Sequence, residues 1–116
     1  MFIETVKIGE LSVQMCACAS VLPAYRNIFG EDFLKVVSAD TQDMSVYIRM
    51  GFVMNMFAEK TRAEVNKLTV DDFYEWLDKF STGDIVNAIA DIATIFMKES
   101  AGTVAAKKNR SAPSGK

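Results

Sequence analysis

Cys16 and Cys18 are the first side chains in this sequence that could do chemistry. A thiol needs an activating base to act as a nucleophile, and a structural zinc needs four donors, mostly cysteine and histidine. The chain has no histidine and no second cysteine pair. Both thiols are therefore expected to stay reduced, as small apolar groups. Carboxylates come next. Asp71 and Asp72 are adjacent, so on a helix they diverge by about 100° and read as the solvated first turn. Asp40 and Asp43 lack the ligand spacing of a calcium loop. The six glycines are scattered, and none belongs to a phosphate-cradling loop. We expect no enzyme, no cofactor, no metal site and no small-molecule substrate.

What remains is binding, and three features could carry it. The stretch Met44 to Lys60, MSVYIRMGFVMNMFAEK, has no proline and is mostly apolar. On a helical wheel Val46, Met50, Val53, Met54 and Phe57 share one broad face, extended by Tyr47, Gly51 and Ala58. Ser45, Arg49, Asn55, Glu59 and Lys60 gather opposite. Ile48, Phe52 and Met56 form a second stripe inside that polar arc. A helix with two apolar stripes has two things to touch. Either both lie inside one domain, or the second stripe meets another chain. The second feature is Trp76 with Tyr74 and Phe80, since aromatic anchors are frequent interface hot spots. The third is a basic end carrying Lys107, Lys108 and Arg110.

These features need elements to hold them. Phe2–Ile8 and Leu11–Ala17 are rich in β-branched residues and flank Gly9-Glu10, which reads as a β-hairpin with a glycine-first, type II′ turn. Its edges could template pairing with a neighbouring subunit. Ser20 is expected to cap a helix that stops at Gly30, with Pro23 in its first turn. A short helix covers Glu31–Val37, and Ser38–Asp43 reads as a loop ending in a cap at Asp43. Thr61–Leu68 reads as a fraying continuation of the central helix. Thr69 and Asp72 form a variant capping box ahead of LTVDDFYEWLDKF. There Val70, Phe73, Tyr74, Leu77 and Phe80 make the inward stripe and Trp76 sits half-wet at its edge. Ser81–Asp84 is a turn and cap before a helix over Ile85–Glu99.

Length and composition bound the whole. At 116 residues, half of them apolar, the chain makes one domain with a sizeable core. The expected fold is mainly α (α+β): a short N-terminal β-hairpin, then a bundle of about four to five helices. Residues 1–99 form that domain, and residues 100–116 a flexible basic tail. Net charge is −2, unevenly placed: Lys107, Lys108, Arg110 and Lys116 follow the last acid, Glu99, leaving nine bases against fifteen acids in residues 1–99. An acidic body argues against nucleic acid. No apolar run approaches the ~20 residues of a membrane span, and the first residues lack a signal peptide's basic start. We expect a cytosolic protein that binds no membrane.

Four segments, in this order and spacing, carry a family likeness: AYRNIFGEDFL (Ala24–Leu34), MGFVMNMFAEK (Met50–Lys60), LTVDDFYEWLDKF (Leu68–Phe80) and IVNAIADIATIFMKES (Ile85–Ser100). The chain resembles the tail assembly chaperones of long-tailed bacteriophages of Gram-positive hosts over roughly residues 2–108. The resemblance implies a small, mostly helical, non-enzymatic protein of the host cytoplasm. It would bind and solubilise the apolar tape measure protein, help recruit tail tube subunits, self-associate, and be absent from the mature virion. It also implies a longer form made by translational frameshifting, for which the Lys-Lys-Asn at Lys107–Asn109 suits an A-rich slippery run. The alternative is a head–tail or tail-tube-associated structural protein that remains in the virion. The family offers no sharply defined functional residues to carry over, so the candidate sites rest on the helical wheel.

Overall fold

A computed structural model describes residues 3–37 and 44–111, with side chains through residue 97. Two strands, β1 (Ile3–Ile8) and β2 (Leu11–Cys16), precede six helices: α1 (Val21–Phe29), α2 (Phe33–Val37), α3 (Ser45–Glu59), α4 (Arg62–Val65), α5 (Val70–Leu77) and α6 (Thr82–Ser111). The fold is mainly α with a small β part, as the sequence pattern predicts.

The strands pair antiparallel with Ile8 opposite Leu11 and Ile3 opposite Cys16. Gly9 sits at φ 64°, the conformation both primed hairpin turns need at their first central position. It also lies where a Cβ would come within 2.4 Å of the Asp84 carboxylate, so the turn touches the start of α6. Val6, Ile8, Val13 and Met15 point inward and are buried. β2 packs on α3 while β1 packs on α6, so the hairpin lies across that helix pair.

α3 is the centre of the molecule: β2, α1, α2, α4, α5 and α6 all pack against it. Its buried residues run without a break from Met50 to Met56, which one apolar stripe could not produce. At Gly51 the helices α3 and α6 approach so closely that a Cβ would lie 2.8 Å from Ile92 Cδ1.

Most predicted boundaries hold, and the differences have local causes. Gly30 ends α1 at φ 73°. Ser20 does not cap α1 with its side chain; its hydroxyl instead accepts from Arg62 at 3.4 Å. Thr61 does not continue α3. It caps α4 in a full capping box with Glu64, whose pKa the two Thr61 bonds lower. The Thr69–Asp72 box forms as read. Ser81, not Asp84, supplies the cap of α6, accepting from the Asp84 amide at 3.2 Å. The backbone of α6 then runs to Ser111, into the segment predicted to be a flexible tail. At 1.5 Å per residue, 30 residues make a rod of about 45 Å. The predicted loop with Asp40 and the Asp43 cap, and residues 112–116 of the predicted tail, lie outside the described residues. Among the described residues no single helix is long and apolar enough to cross a membrane.

Candidate functional site

The second stripe of α3 is used inside this chain. Phe52 and Met56 are buried, and Ile48 is half-buried against the same core. Phe52 sits among rings: its centroid lies 6.4 Å from Phe29, 5.5 Å from Phe73 and 5.6 Å from Trp76. On the polar arc those residues interrupted, Arg49 meets α1 and Asn55 meets α5 and β2, while Glu59 and Lys60 stand in water. As drawn from the sequence, with the stripe open to another chain, this site is not what the fold presents.

The aromatic set on α5 is divided. Tyr74 and Val70 were assigned inward but stand exposed, Tyr74 at 56 %. Trp76 was assigned to a wet edge but is buried at 4 %. The inward stripe is therefore Phe73, Trp76, Leu77 and Phe80. The reason is a partner the wheel could not show. Trp76 Nε1 donates to Asn55 Oδ1 at 2.9 Å, so the indole can be buried without orphaning its N–H. Phe80 packs edge-on at 5.0 Å from Trp76. Lys107, Lys108 and Arg110 lie on the helical backbone of α6, with side chains outside the described ones.

Two polar clusters went unread in the sequence, and both fasten elements together. Asn55, placed on the polar arc, is 3 % exposed. Its amide donates to the Gln14 carbonyl at 2.8 Å and to Glu59 Oε2 at 2.8 Å while accepting from Trp76. It ties α3 to β2 and α5. Tyr25 is fully buried with its hydroxyl donating to Glu31 at 2.5 Å. Arg49 donates to that hydroxyl at 3.1 Å and pairs with Glu31 at 3.2 Å. Its guanidinium also lies 5.9 Å from the Phe29 ring centre. This cluster ties α1 and the turn after it to α3.

Burial pushes the Tyr25 phenol up from 10.0 to about 12, Glu31 adding to the rise and Arg49 opposing it. A phenol with a raised folded pKa stabilises fully below its unfolded pKa and loses that stability as pH rises through the folded one. We predict that stability falls between pH 10 and 12 by on the order of 2 kcal/mol. Tyr25→Phe should flatten that fall, as read by denaturant midpoints across this range. An equally steep fall in the variant would refute the assignment.

The open apolar surface lies elsewhere. Leu34 (51 %), Met44 (45 %) and Met97 (55 %) are exposed, each next in sequence to, or one turn from, a ring of one aromatic cluster. Phe33 lies 5.6 Å from Tyr47 and 4.8 Å from Phe96. Leu34 follows Phe33, Met97 follows Phe96, and Met44 lies one turn before Tyr47. These three, the rim residues, come from α2, the residue before α3, and α6, so no single helical wheel could group them. Two shallow grooves are more polar. One, between α1 and α4, is lined by Ser20, Asn27, Phe57, Arg62 and Asn66; the other lies between β1 and α6.

Cys16 is buried and Cys18 half-buried, and neither is in a disulfide. Among the described residues no group of histidine, cysteine, aspartate and glutamate gathers to hold a metal. Compared with protein-family models, curated proteins and solved structures, the chain matches none.

Proposed function

We propose that this chain is a phage tail assembly chaperone that binds the tape measure protein in the host cytoplasm, helps bring tail tube subunits to it, and leaves before the virion is complete. The observation that carries the reading is the exposure of the apolar rim residues Leu34, Met44 and Met97 on an otherwise acidic body. The order of the four family-like segments supports it. A long apolar helix needs such a surface presented in many copies, each of modest affinity, and helix-in-groove docking supplies that. Two flexible methionines in the rim suit a partner whose sequence varies along its length. The docking face is therefore moved from Ile48, Phe52 and Met56 to the rim, and catalysis plays no part.

Co-expression with the tape measure protein of the same phage tests this. The partner should be more soluble with the chain than without it. Leu34→Glu combined with Met97→Glu should abolish that gain while leaving the circular dichroism and melting of the chain unchanged, because both side chains already stand half in water. No gain in solubility with the unaltered chain refutes the function, and a gain that survives both substitutions refutes the face. Mass spectrometry of purified particles separates the chaperone from the structural alternative: only a structural component is found in the virion.

A further inference from the structure

The hairpin has one covered edge and one open edge. On the covered side, Asn55 donates to the Gln14 carbonyl of β2, so that carbonyl points away from β1. Gln14 stands opposite Thr5. In an antiparallel ladder, a pair whose backbone groups point away from each other is a non-hydrogen-bonded pair, and such pairs alternate with bonded ones. The two-residue turn agrees: its closing pair, Ile8 with Leu11, is then a bonded pair. Ile3, Thr5 and Lys7 therefore turn their backbone N–H and C=O groups out along the far edge of β1. Among the described residues that edge pairs with no strand. It borders an open groove of about 450 Å³ shared with Asp91, Thr94 and Ile95 of α6. Ile3, Thr5 and Lys7 are all exposed.

We propose that β1 is a self-pairing edge. It takes β1 of a second copy, antiparallel, about a two-fold axis through Thr5, so that two hairpins join into one four-stranded sheet. The occupant follows from the strand itself. Outward-facing groups sit at 3, 5 and 7, which is symmetric about Thr5, so each bonded position meets a bonded position of the same sequence. Thr5 then faces Thr5 of the second copy, a favourable cross-strand pair. Ile3 faces Lys7, whose aliphatic stem can cover the half-exposed isoleucine. Glu4 faces Val6, and no like charges oppose. Proteins that keep an edge solitary blunt it with lysine, proline, a bulge or a very short strand; β1 carries one lysine, which this pairing sets against Ile3, but it has six residues, no proline and an unbroken register. A two-stranded hairpin also gains most from further strands. This pairing does not rest on the partner bound at the rim.

Sedimentation velocity over a wide concentration range tests it on the full chain. The unaltered chain should show a reversible dimer. Thr5→Pro, which removes the central edge N–H, should leave a monomer. Ile3→Lys sets lysine against Lys7 twice per dimer and should weaken it about 2- to 30-fold, whereas Ile3→Glu should tighten it by a similar factor. Adding Lys7→Glu to Ile3→Lys should restore the dimer. The Ile3 and Lys7 changes lie at exposed positions, so they remain informative if Thr5→Pro disturbs the fold. A strict monomer at every concentration overturns the proposal. So does a dimer indifferent to the charge swaps.

Discussion

Replacing Phe52 with alanine is expected to destabilise the fold by about 3–5 kcal/mol, the range for deleting a fully buried aromatic ring. The side chain is 1 % exposed and makes edge contacts with Phe29, Phe73 and Trp76, which come from α1 and α5. Its loss leaves a void that three rigid rings cannot close, and rings at edge-on geometry lose more than their buried area. Ile48→Ala, one turn earlier on the same stripe, removes a half-buried side chain and should cost only about 1 kcal/mol. Urea unfolding of the two variants reads the contrast. The outcome also decides between two uses of the stripe. If the stripe served another chain, Phe52→Ala would leave unfolding unchanged and weaken only association. A cost under about 1 kcal/mol would thus restore the partner reading and contradict the packing around α3.

The contrast shows what periodicity can and cannot report. Two stripes on Met44 to Lys60 correctly announced a helix with neighbours on more than one side. The wheel could not say whose side chains those neighbours would bring. Phe52 is covered by rings from α1 and α5, contacts between residues far apart in sequence, and a wheel sees only its own helix. Local signals fared better. Gly30, the Thr69–Asp72 box and the Gly9 turn depend on residues within four positions of one another; the first two form as read, and the third is a tight glycine-first turn. Trp76 and Tyr74 exchanged roles because the indole finds Asn55 while the phenol finds water. Arg49, expected on a polar arc, closes with Glu31 around the buried Tyr25 hydroxyl. The exposure of Leu34, Met44 and Met97 was not legible in the sequence, since it depends on how α2 and α6 pack beside α3.

The second large effect is expected at Asn55. Asn55→Leu keeps the approximate volume but strands the buried Trp76 N–H and removes the partly buried bond to the Gln14 carbonyl. Leaving the indole donor unmade and losing the second bond should cost about 2–3 kcal/mol. Trp76 is the sole tryptophan, so its emission reports the loss directly, alongside the denaturant midpoint. A double-mutant cycle sharpens the assignment. Trp76→Phe deletes the stranded donor, so adding it to Asn55→Leu should cost less than the sum of the single changes. Strict additivity would mean the 2.9 Å contact carries no coupling. Asn55→Asp should be worse still at neutral pH. It keeps the acceptor for Trp76 but replaces the two donors with a carboxylate facing the Gln14 carbonyl and Glu59. Burial and Glu59 would raise the pKa of the introduced carboxyl above its unfolded value. Its penalty is then present at high pH and relieved as pH falls through that raised pKa. The stability gap between Asn55→Asp and the unaltered chain should therefore narrow on acidification, whereas the gap for Asn55→Leu should not. If both gaps respond alike to pH, the amide does not occupy the junction of β2, α3 and α5 described above.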